Sequence, residues 1–199
     1  MKKILPVLLM LAVIGYILST LSCRERVASR PGAEPTATTT PTAPPFFIYY
    51  YLDTPAEVAA VEVDGATASY TTNPVYSGTG CAQVNYSLTS TNASATFRFN
   101  ISSSNFTGKI ITAHVYIPAA LHAADYQMQV WIMQPDFSGW KNTYYDLNSA
   151  SITPDAWNTL TYTPVGVGEA TVGEFGLQLE LNGQPAISGS FYVDEVTVN

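Results

Sequence analysis

YQMQVWIMQ, residues 126–134, alternates between two kinds of side chain along its length. Successive side chains of an extended strand point to opposite faces, so the segment divides into two rows. One row has the composition of a protein core: Tyr126, Met128, Val130 and Ile132. The other row places a large ring in line with two amides: Gln127, Gln129, Trp131 and Met133. The stretch predicts a half-buried strand with an aromatic and polar outer face.

The same period of two recurs in nearly every segment after residue 45, and Pro, Gly, Asn, Ser and Asp punctuate the gaps. The pattern predicts ten strands, at residues 47–52, 58–63, 81–88, 94–101, 110–117, 126–134, 142–147, 158–163, 174–181 and 190–198. Only residues 118–126 hint at a helical turn. Short strands without long helices between them are typical of an all-β fold, here a β-sandwich jelly roll.

Two other predicted strands have outer rows of similar chemistry. Segment 110–117 leaves Thr112, His114 and Tyr116 outside, and segment 174–181 leaves Gly176, Gln178 and Glu180. If the three strands share a sheet, one face combines rings with amides and a carboxylate. A pyranose stacks its C–H face on a ring and pairs its hydroxyls with amides and acids. The candidate ligand-binding residues are therefore His114, Tyr116, Gln127, Gln129, Trp131, Gln178 and Glu180, with Trp140 in the next loop as a second platform.

A different interpretation of Trp131 stays open. The loop QPDFSGWKNTYY, residues 134–145, carries several aromatic residues and could cover the ring, so that Trp131 extends the core. In that case the alternation in 126–134 marks a second buried layer.

The first 22 residues have the layout of a secretory signal. Two lysines precede an apolar run, and a small residue stands before Cys23. The segment resembles a bacterial lipoprotein signal, in which this cysteine carries the lipid; an uncleaved helical anchor is the alternative. Residues 23–45 are rich in Pro, Thr and Ala and predict an extended linker. We therefore expect residues 46–199 to form one exported, membrane-anchored domain at the cell surface or the periplasmic face.

The charge of residues 46–199 limits the partners. Three cations, Arg98, Lys109 and Lys141, stand against thirteen carboxylates. Nucleic acids and anionic membrane surfaces need clustered Lys and Arg, so nucleic acid is excluded as a partner. We expect a monomer.

Catalytic motifs are lacking in the sequence. There is no G-x-S-x-G, phosphate-binding loop or dinucleotide fingerprint, and the two histidines lack the spacing of zinc ligands. Glycoside hydrolysis needs two carboxylates, whereas Glu180 is the one acid on the candidate face. A non-catalytic binding module is the first hypothesis, a protein-interaction module is the second, and a small hydrolase would need a second acid near Glu180.

The order of several segments resembles the galactose-binding-like jelly-roll modules, which are the carbohydrate-binding modules of bacterial mannanases, xylanases and glucanases. The segments are YYYLDT, VYSGTGCAQVNY, GKIITAHVYIP, YQMQVWIMQ, DAWNTLTYTP, VGEFGLQLEL and GSFYVDEVTVN. The resemblance covers residues 46–199 and implies binding of a β-linked polysaccharide such as mannan, xylan or glucan. It also implies a packing role for Trp157 and a structural calcium held by Asp53, Asp194 and carbonyl groups near residues 77–80.

Overall fold

A computed structural model describes residues 47–123, 125–136, 139–166 and 169–199. The predicted signal segment (1–22), the predicted lipidation site Cys23 and the predicted linker (23–45) lie outside the described residues.

The described residues form antiparallel strands and two short helices. The strands are β1 Ile48–Tyr50, β2 Glu62–Asp64, β3 Ala66–Thr71, β4 Cys81–Leu88, β5 Ser94–Ser104, β6 Ile111–Ile117, β7 Gln127–Met133, β8 Lys141–Asp146, β9 Ala156–Tyr162, β10 Val172–Glu180 and β11 Ile187–Val198. The helices are α1 Pro55–Ala59 and α2 Ala119–His122. Helix α2 lies where the sequence hinted at a helical turn.

Two sheets make up the sandwich. The first sheet has the order β3-β4-β11-β6-β9, with β1 also paired to β11. The second sheet has the order β2-β5-β10-β7-β8. Most neighbours in the two sheets are non-consecutive along the chain, the exceptions being β3–β4 and β7–β8, as in a jelly roll. The predicted all-β sandwich is therefore confirmed.

The core lies between the two sheets and takes alternate residues from each. Met128, Val130 and Ile132 of β7 are fully buried in it, which confirms the predicted core row of residues 126–134. Other strands contribute buried side chains to the same core, among them Phe97, Phe99, Phe175, Leu177, Phe191 and Val193. Trp131 lies outside this core cluster.

The predicted strand at 58–63 is wrong over its first part. Thr54 and Glu57 form a capping box, in which the Thr54 hydroxyl accepts from the Glu57 backbone and the Glu57 carboxylate accepts from the Thr54 backbone. With Pro55 at the first turn, this cap starts helix α1 instead. The apolar residues that resemble a strand are the buried side of that short helix, through Val58, and only residues 62–64 are extended.

Among the described residues, no helix combines the length and the apolar character that a membrane span needs.

Candidate functional site

The outer rows of β7 and β10 lie side by side on the second sheet. These strands are direct neighbours, and their register pairs Trp131 with Gly176, Gln129 with Gln178, and Gln127 with Glu180. The structure thus brings together two of the three predicted rows.

Gly176 is required at its position beside Trp131. A β-carbon there would lie 2.2 Å from the carbonyl oxygen of Phe97 on β5, closer than any real contact. The glycine therefore lets β5 approach β10, and it puts no side chain between Arg98 and Trp131, its partners on the two neighbouring strands.

A groove of about 450 Å³ follows this face of the second sheet. Aromatic residues line one part of it, and polar side chains from β2, β5, β7 and β10 line the rest. The residues that carry the chemistry are Trp131, Trp140, Tyr144, Asp64, Thr96, Arg98, Gln129, Gln178 and Glu180.

The two tryptophans of the groove stack on each other. Their ring centroids lie 4.4 Å apart with 18° between the planes. Trp131 is only 1% exposed, whereas Trp140 is 40% exposed. The alternative interpretation of Trp131 is therefore correct in one respect, because a residue of the 134–145 loop covers the ring. Trp140 is the indole that a ligand can reach.

The indole N–H of Trp131 is buried and has no hydrogen-bond partner in the described part of the chain. A buried donor without an acceptor costs free energy. An oxygen that reached this position from the groove would relieve that cost.

Gln129 organises the polar part of the groove. Its side chain is 2% exposed, and its Oε1 accepts a hydrogen bond from Asn142 Nδ2 on β8. The amide also hydrogen-bonds the Glu180 carboxylate, which favours the ionised form. Burial acts more strongly in the opposite direction and raises the pKa of Glu180. Gln178 lies next to this pair and lines the groove.

Arg98 forms the cationic side of the groove. Its Nε and one terminal nitrogen donate to Glu62 Oε2 at 3.1 and 2.9 Å, and its other terminal nitrogen lies 3.9 Å from Glu174 Oε2. Two carboxylates therefore fix the guanidinium in place beside the groove.

Gln127 has a different role from the one expected. It belongs to the outer row of β7, but its Nε2 donates to Asp146 Oδ1 on β8 at 2.8 Å, and it does not line the groove. This hydrogen bond ties β7 to β8 at one end of the row.

His114 and Tyr116 do not share the face of Trp131, so the expectation of a single three-strand face is wrong for them. Their strand, β6, lies in the first sheet between β11 and β9. Period-two alternation shows which residues point outward but not which sheet a strand joins. The ring of Tyr76 stacks on His114 at 3.7 Å, and burial lowers the pKa of this histidine.

The segment after β1 and the last strand, β11, meet at the turn of residues 76–80. Asp53 Oδ1 accepts from the backbone N–H of Thr79 at 2.7 Å, and Asp194 Oδ2 accepts from those of Tyr76 and Ser77 at 3.1 and 3.2 Å. Gly78 has φ +64, and a β-carbon there would lie 2.0 Å from Asp53 Oδ1. The three segments to which the resemblance assigned calcium therefore lie together.

The charge at this meeting point fits a cation. No Lys or Arg in the described part of the chain pairs with Asp53 or Asp194. Burial raises the pKa of Asp194 to about 6, and the charge of Asp53 adds to the effect, although three backbone N–H groups oppose it. However, the described residues contain no group of three or more His, Cys, Asp and Glu side chains placed to hold a metal. Calcium takes six to eight oxygens, so backbone and hydroxyl oxygens of the turn would have to supply most of them.

Sequence reasoning missed the contribution of β2 and β5 to the groove. Asp64, Thr96 and Arg98 line it, and Thr96 and Arg98 alternate with Phe97 and Phe99 in the segment SATFRFNI. That alternation already placed both residues outward. What the sequence lacked was the strand order, which puts β5 next to β10.

Solved structures similar to this chain include β-sandwich carbohydrate-binding modules. The xylan-binding module CBM15 gives a TM-score of 0.56 at 18% identity, over 77% of this chain and 95% of that one. The module CBM27-1 of Caldicellulosiruptor saccharolyticus, in complex with mannohexaose, gives 0.56 at 12% identity, over 77% and 97%. A structure from work on promiscuous specificity in carbohydrate-binding modules of the β-sandwich superfamily gives 0.52 at 19% identity, over 70% of this chain and 56% of that one. At these identities the likeness establishes the fold.

No protein-family model matches the sequence, and no curated protein sequence is similar to it.

Proposed function

We propose that the domain binds a β-linked polysaccharide, such as xylan, mannan or glucan, without cleaving it. The observation that carries this proposal is the stacked pair Trp131–Trp140 beside the amide and carboxylate row of the groove. Two structural neighbours support it, since one is a xylan-binding module and the other was solved in complex with mannohexaose.

The groove offers the two kinds of contact that a sugar chain requires. The exposed face of Trp140 stacks against the C–H face of a pyranose, with Trp131 as its base. Gln178, Glu180 and Arg98 lie along the same groove and exchange hydrogen bonds with equatorial hydroxyls. Because the amides and charges are already held by Asn142 and Glu62, little ordering is needed on binding.

A hydrolase would need a second acid near Glu180, and Asp64 is the acid that shares the groove. Asp64 of β2 pairs with Thr96 of β5, and Thr96 pairs in turn with Gln178 of β10. Glu180 lies two residues after Gln178 on β10. Two strand spacings and two residues place the Cα atoms of these acids roughly 12 Å apart. Glycosidase carboxyl groups are about 5 to 9.5 Å apart. Because the side chains of Asp64 and Glu180 both line the groove, the assay for released reducing sugar distinguishes binding from cleavage.

A protein-interaction module remains the second candidate function. The observation that favours it is the pairing of Trp131 with Trp140, since a self-paired aromatic face also suits protein contacts. The groove itself favours the sugar, because Gln178, Glu180 and Arg98 line an open channel instead of a flat surface.

The domain is proposed to act as a tethered monomer at the cell surface or the periplasmic face. The support is in the sequence: a signal-like segment at 1–22, Cys23 in the position of a lipidated cysteine, and a Pro/Thr/Ala-rich segment at 23–45. A calcium ion held by Asp53 and Asp194 is also proposed as a structural element. The support is the negative charge of these two carboxylates, which no Lys or Arg in the described part of the chain neutralises.

Affinity electrophoresis tests the function. The domain is run in native gels that contain soluble xylan, galactomannan or mixed-linkage β-glucan, and retardation on at least one of them is expected. Folded protein that migrates freely on all three would contradict the proposal. Release of reducing sugar during incubation with a retarding polysaccharide would show instead that the domain is a hydrolase.

A further inference from the structure

A row of aromatic rings crosses the outer face of the first sheet, on the side of the sandwich away from the groove. Tyr192, Tyr116 and Trp157 are direct cross-strand partners on β11, β6 and β9. The ring centroid of Tyr116 lies 5.6 Å from that of Tyr192 and 5.8 Å from that of Trp157. All three alternate along their strands with buried residues, remain partly exposed and lie outside the hydrophobic core.

Tyr76 lies beside this row, where its ring stacks on His114 of β6. Its ring meets Trp157 edge-on at 5.8 Å, and it is 44% exposed. The packing role implied for Trp157 is thus fulfilled on the outside of the sheet, between Tyr76 and Tyr116. Exposed aromatic rings in one contiguous row indicate an interaction surface, whereas scattered single rings do not.

Oriented hydrogen-bonding groups adjoin the row at Tyr192. Gln83 is the cross-strand partner of Tyr192, and Asn85 is that of Ser190. Gln83 Nε2 donates to Asn85 Oδ1 at 3.0 Å and to Ser190 Oγ at 3.1 Å, and Ser190 Oγ donates to Asn85 Oδ1 at 2.7 Å. Gln83 Oε1 and Asn85 Nδ2 have no partner in the described ranges. The surface therefore presents one fixed acceptor and one fixed donor to a ligand.

The composition of this surface limits what can bind there. One row, Gln83, Tyr192, Tyr116 and Trp157, crosses β4, β11, β6 and β9 and holds only neutral rings and an amide. The imidazole of His114, under the ring of Tyr76, is a titratable ring at its border. Nucleic acid and anionic surfaces need clustered Lys and Arg. Rings beside uncharged amides are suited to a neutral ligand with both C–H faces and hydroxyls, and the groove shows the same pairing of residue types.

We propose that Tyr76, Trp157, Tyr116, Tyr192, Gln83 and Asn85 form a second carbohydrate-binding surface, which takes a neutral polysaccharide chain. The class of ligand rests on the function proposed for the groove. The two surfaces lie on opposite faces of the sandwich, with two sheets about 10 Å apart between them. One domain therefore holds two separate chain segments and cross-links them.

The test compares each surface alone. Native gels containing xylan, galactomannan or β-glucan are used to compare three kinds of variant. The groove variant is Trp140→Ala/Gln178→Ala, and the second-surface variants are Trp157→Ala and Tyr116→Ala. The third kind combines the groove changes with a second-surface change. The groove variant is expected to stay retarded, and the combination is expected to bind about tenfold more weakly or worse than either. Two second-surface variants on different strands keep the test open if one of them does not fold.

Cross-linking gives a second readout. Wild-type domain mixed with the soluble polysaccharide should raise light scattering, and a change at either surface should abolish the rise. Thr161→Ala is the matched control, because Thr161 is exposed on β9, the strand of Trp157, but lies beyond the aromatic row. This control should behave as wild type.

The outcomes separate the two proposals. Loss of all retardation in the groove variant, with normal binding by Trp157→Ala and Tyr116→Ala, would overturn the second surface and leave the groove function intact. Free migration of the wild type on every polysaccharide would overturn both. A change of oligomeric mass in Tyr116→Ala, with unchanged glycan binding, would mean that the surface joins copies of the chain and would also overturn the proposal.

Discussion

Trp140 covers Trp131 in the groove, with ring centroids 4.4 Å apart and planes 18° from parallel. One face of the Trp140 indole is thus committed to its neighbour, while the ring as a whole keeps 40% of its surface exposed. Trp131 keeps only 1%. The pair forms two layers, in which the upper ring is open to the groove and the lower ring supports it. Removing Trp140 should therefore affect mainly binding, whereas removing Trp131 should affect mainly folding stability.

Trp140→Ala should weaken polysaccharide binding by about 1–3 kcal/mol, by analogy with the loss of an aromatic ring from beneath a stacked base. Folding stability should fall by about 1–2 kcal/mol, less than for Trp131→Ala, because the ring is 40% exposed but stacks on Trp131. Isothermal titration beside urea unfolding measures both quantities. Tyr51→Ala is the control, since Tyr51 is 49% exposed but lies away from the groove. Equal binding by Trp140→Ala and the control would remove Trp140 from the site.

Trp131→Ala should instead lower the free energy of unfolding by about 3–5 kcal/mol, the cost of truncating a covered aromatic side chain. Binding should also weaken, because Trp140 loses the surface on which it rests. The measurement is the urea midpoint at unchanged slope. A midpoint equal to that of the wild type would show that the Trp131 ring is free of its cover in solution.

Glu180→Gln should have opposite effects on binding and on stability. An ionised carboxylate forms stronger hydrogen bonds with hydroxyls than a neutral amide, so binding at neutral pH should weaken by about 1–2 kcal/mol. Burial raises the pKa of Glu180, so the folded state holds the proton more tightly than the unfolded state. Stability contributed by this group is therefore lost as the pH rises from the unfolded pKa through the folded pKa.

Glu180→Gln removes the pH-dependent loss of stability that the Glu180 carboxyl group causes. Denaturant unfolding between weakly acidic and neutral pH should show a flatter stability curve for Glu180→Gln than for the wild type. Asp125→Asn makes the same chemical change outside the groove and should leave the binding as in the wild type. A steeper curve in Glu180→Gln would mean that the Gln129 hydrogen bond, and not burial, controls this carboxyl group.

The fold could be predicted from the sequence because most strands carry a core row on one side. Alternation in 126–134 assigned Met128, Val130 and Ile132 to the core correctly. Alternation failed as a predictor at 58–63. The apolar run there resembles a strand, but the capping box of Thr54 and Glu57 starts a helix. The residues of the capping box could be recognised in the sequence. Strand β3, Ala66–Thr71, was not predicted, because its alternation of apolar and polar residues is weak.

The site could be predicted only in part, because alternation assigns a residue to a face but not to a sheet. Gln129, Trp131, Gln178 and Glu180 were placed together correctly, since β7 and β10 pair with each other. His114 was placed with them wrongly, because long-range pairing of β6 with β11 and β9 puts it in the other sheet. The cover over Trp131 depends on the path of one loop, which no pattern in the strands encodes.

Calcium removal tests the calcium ion proposed between Asp53 and Asp194. If a calcium ion is held by Asp53 and Asp194, EDTA should lower the melting temperature and added calcium should restore it, because a ligand of the folded state stabilises that state by mass action. Asp53→Asn and Asp194→Asn should each abolish this response. Asp146→Asn, a carboxylate on β8 that accepts from Gln127, is the control and should keep it. If the wild-type melting curve is the same with EDTA and with calcium, the backbone N–H groups of residues 76–80 satisfy the two carboxylates by themselves, and the site holds no metal.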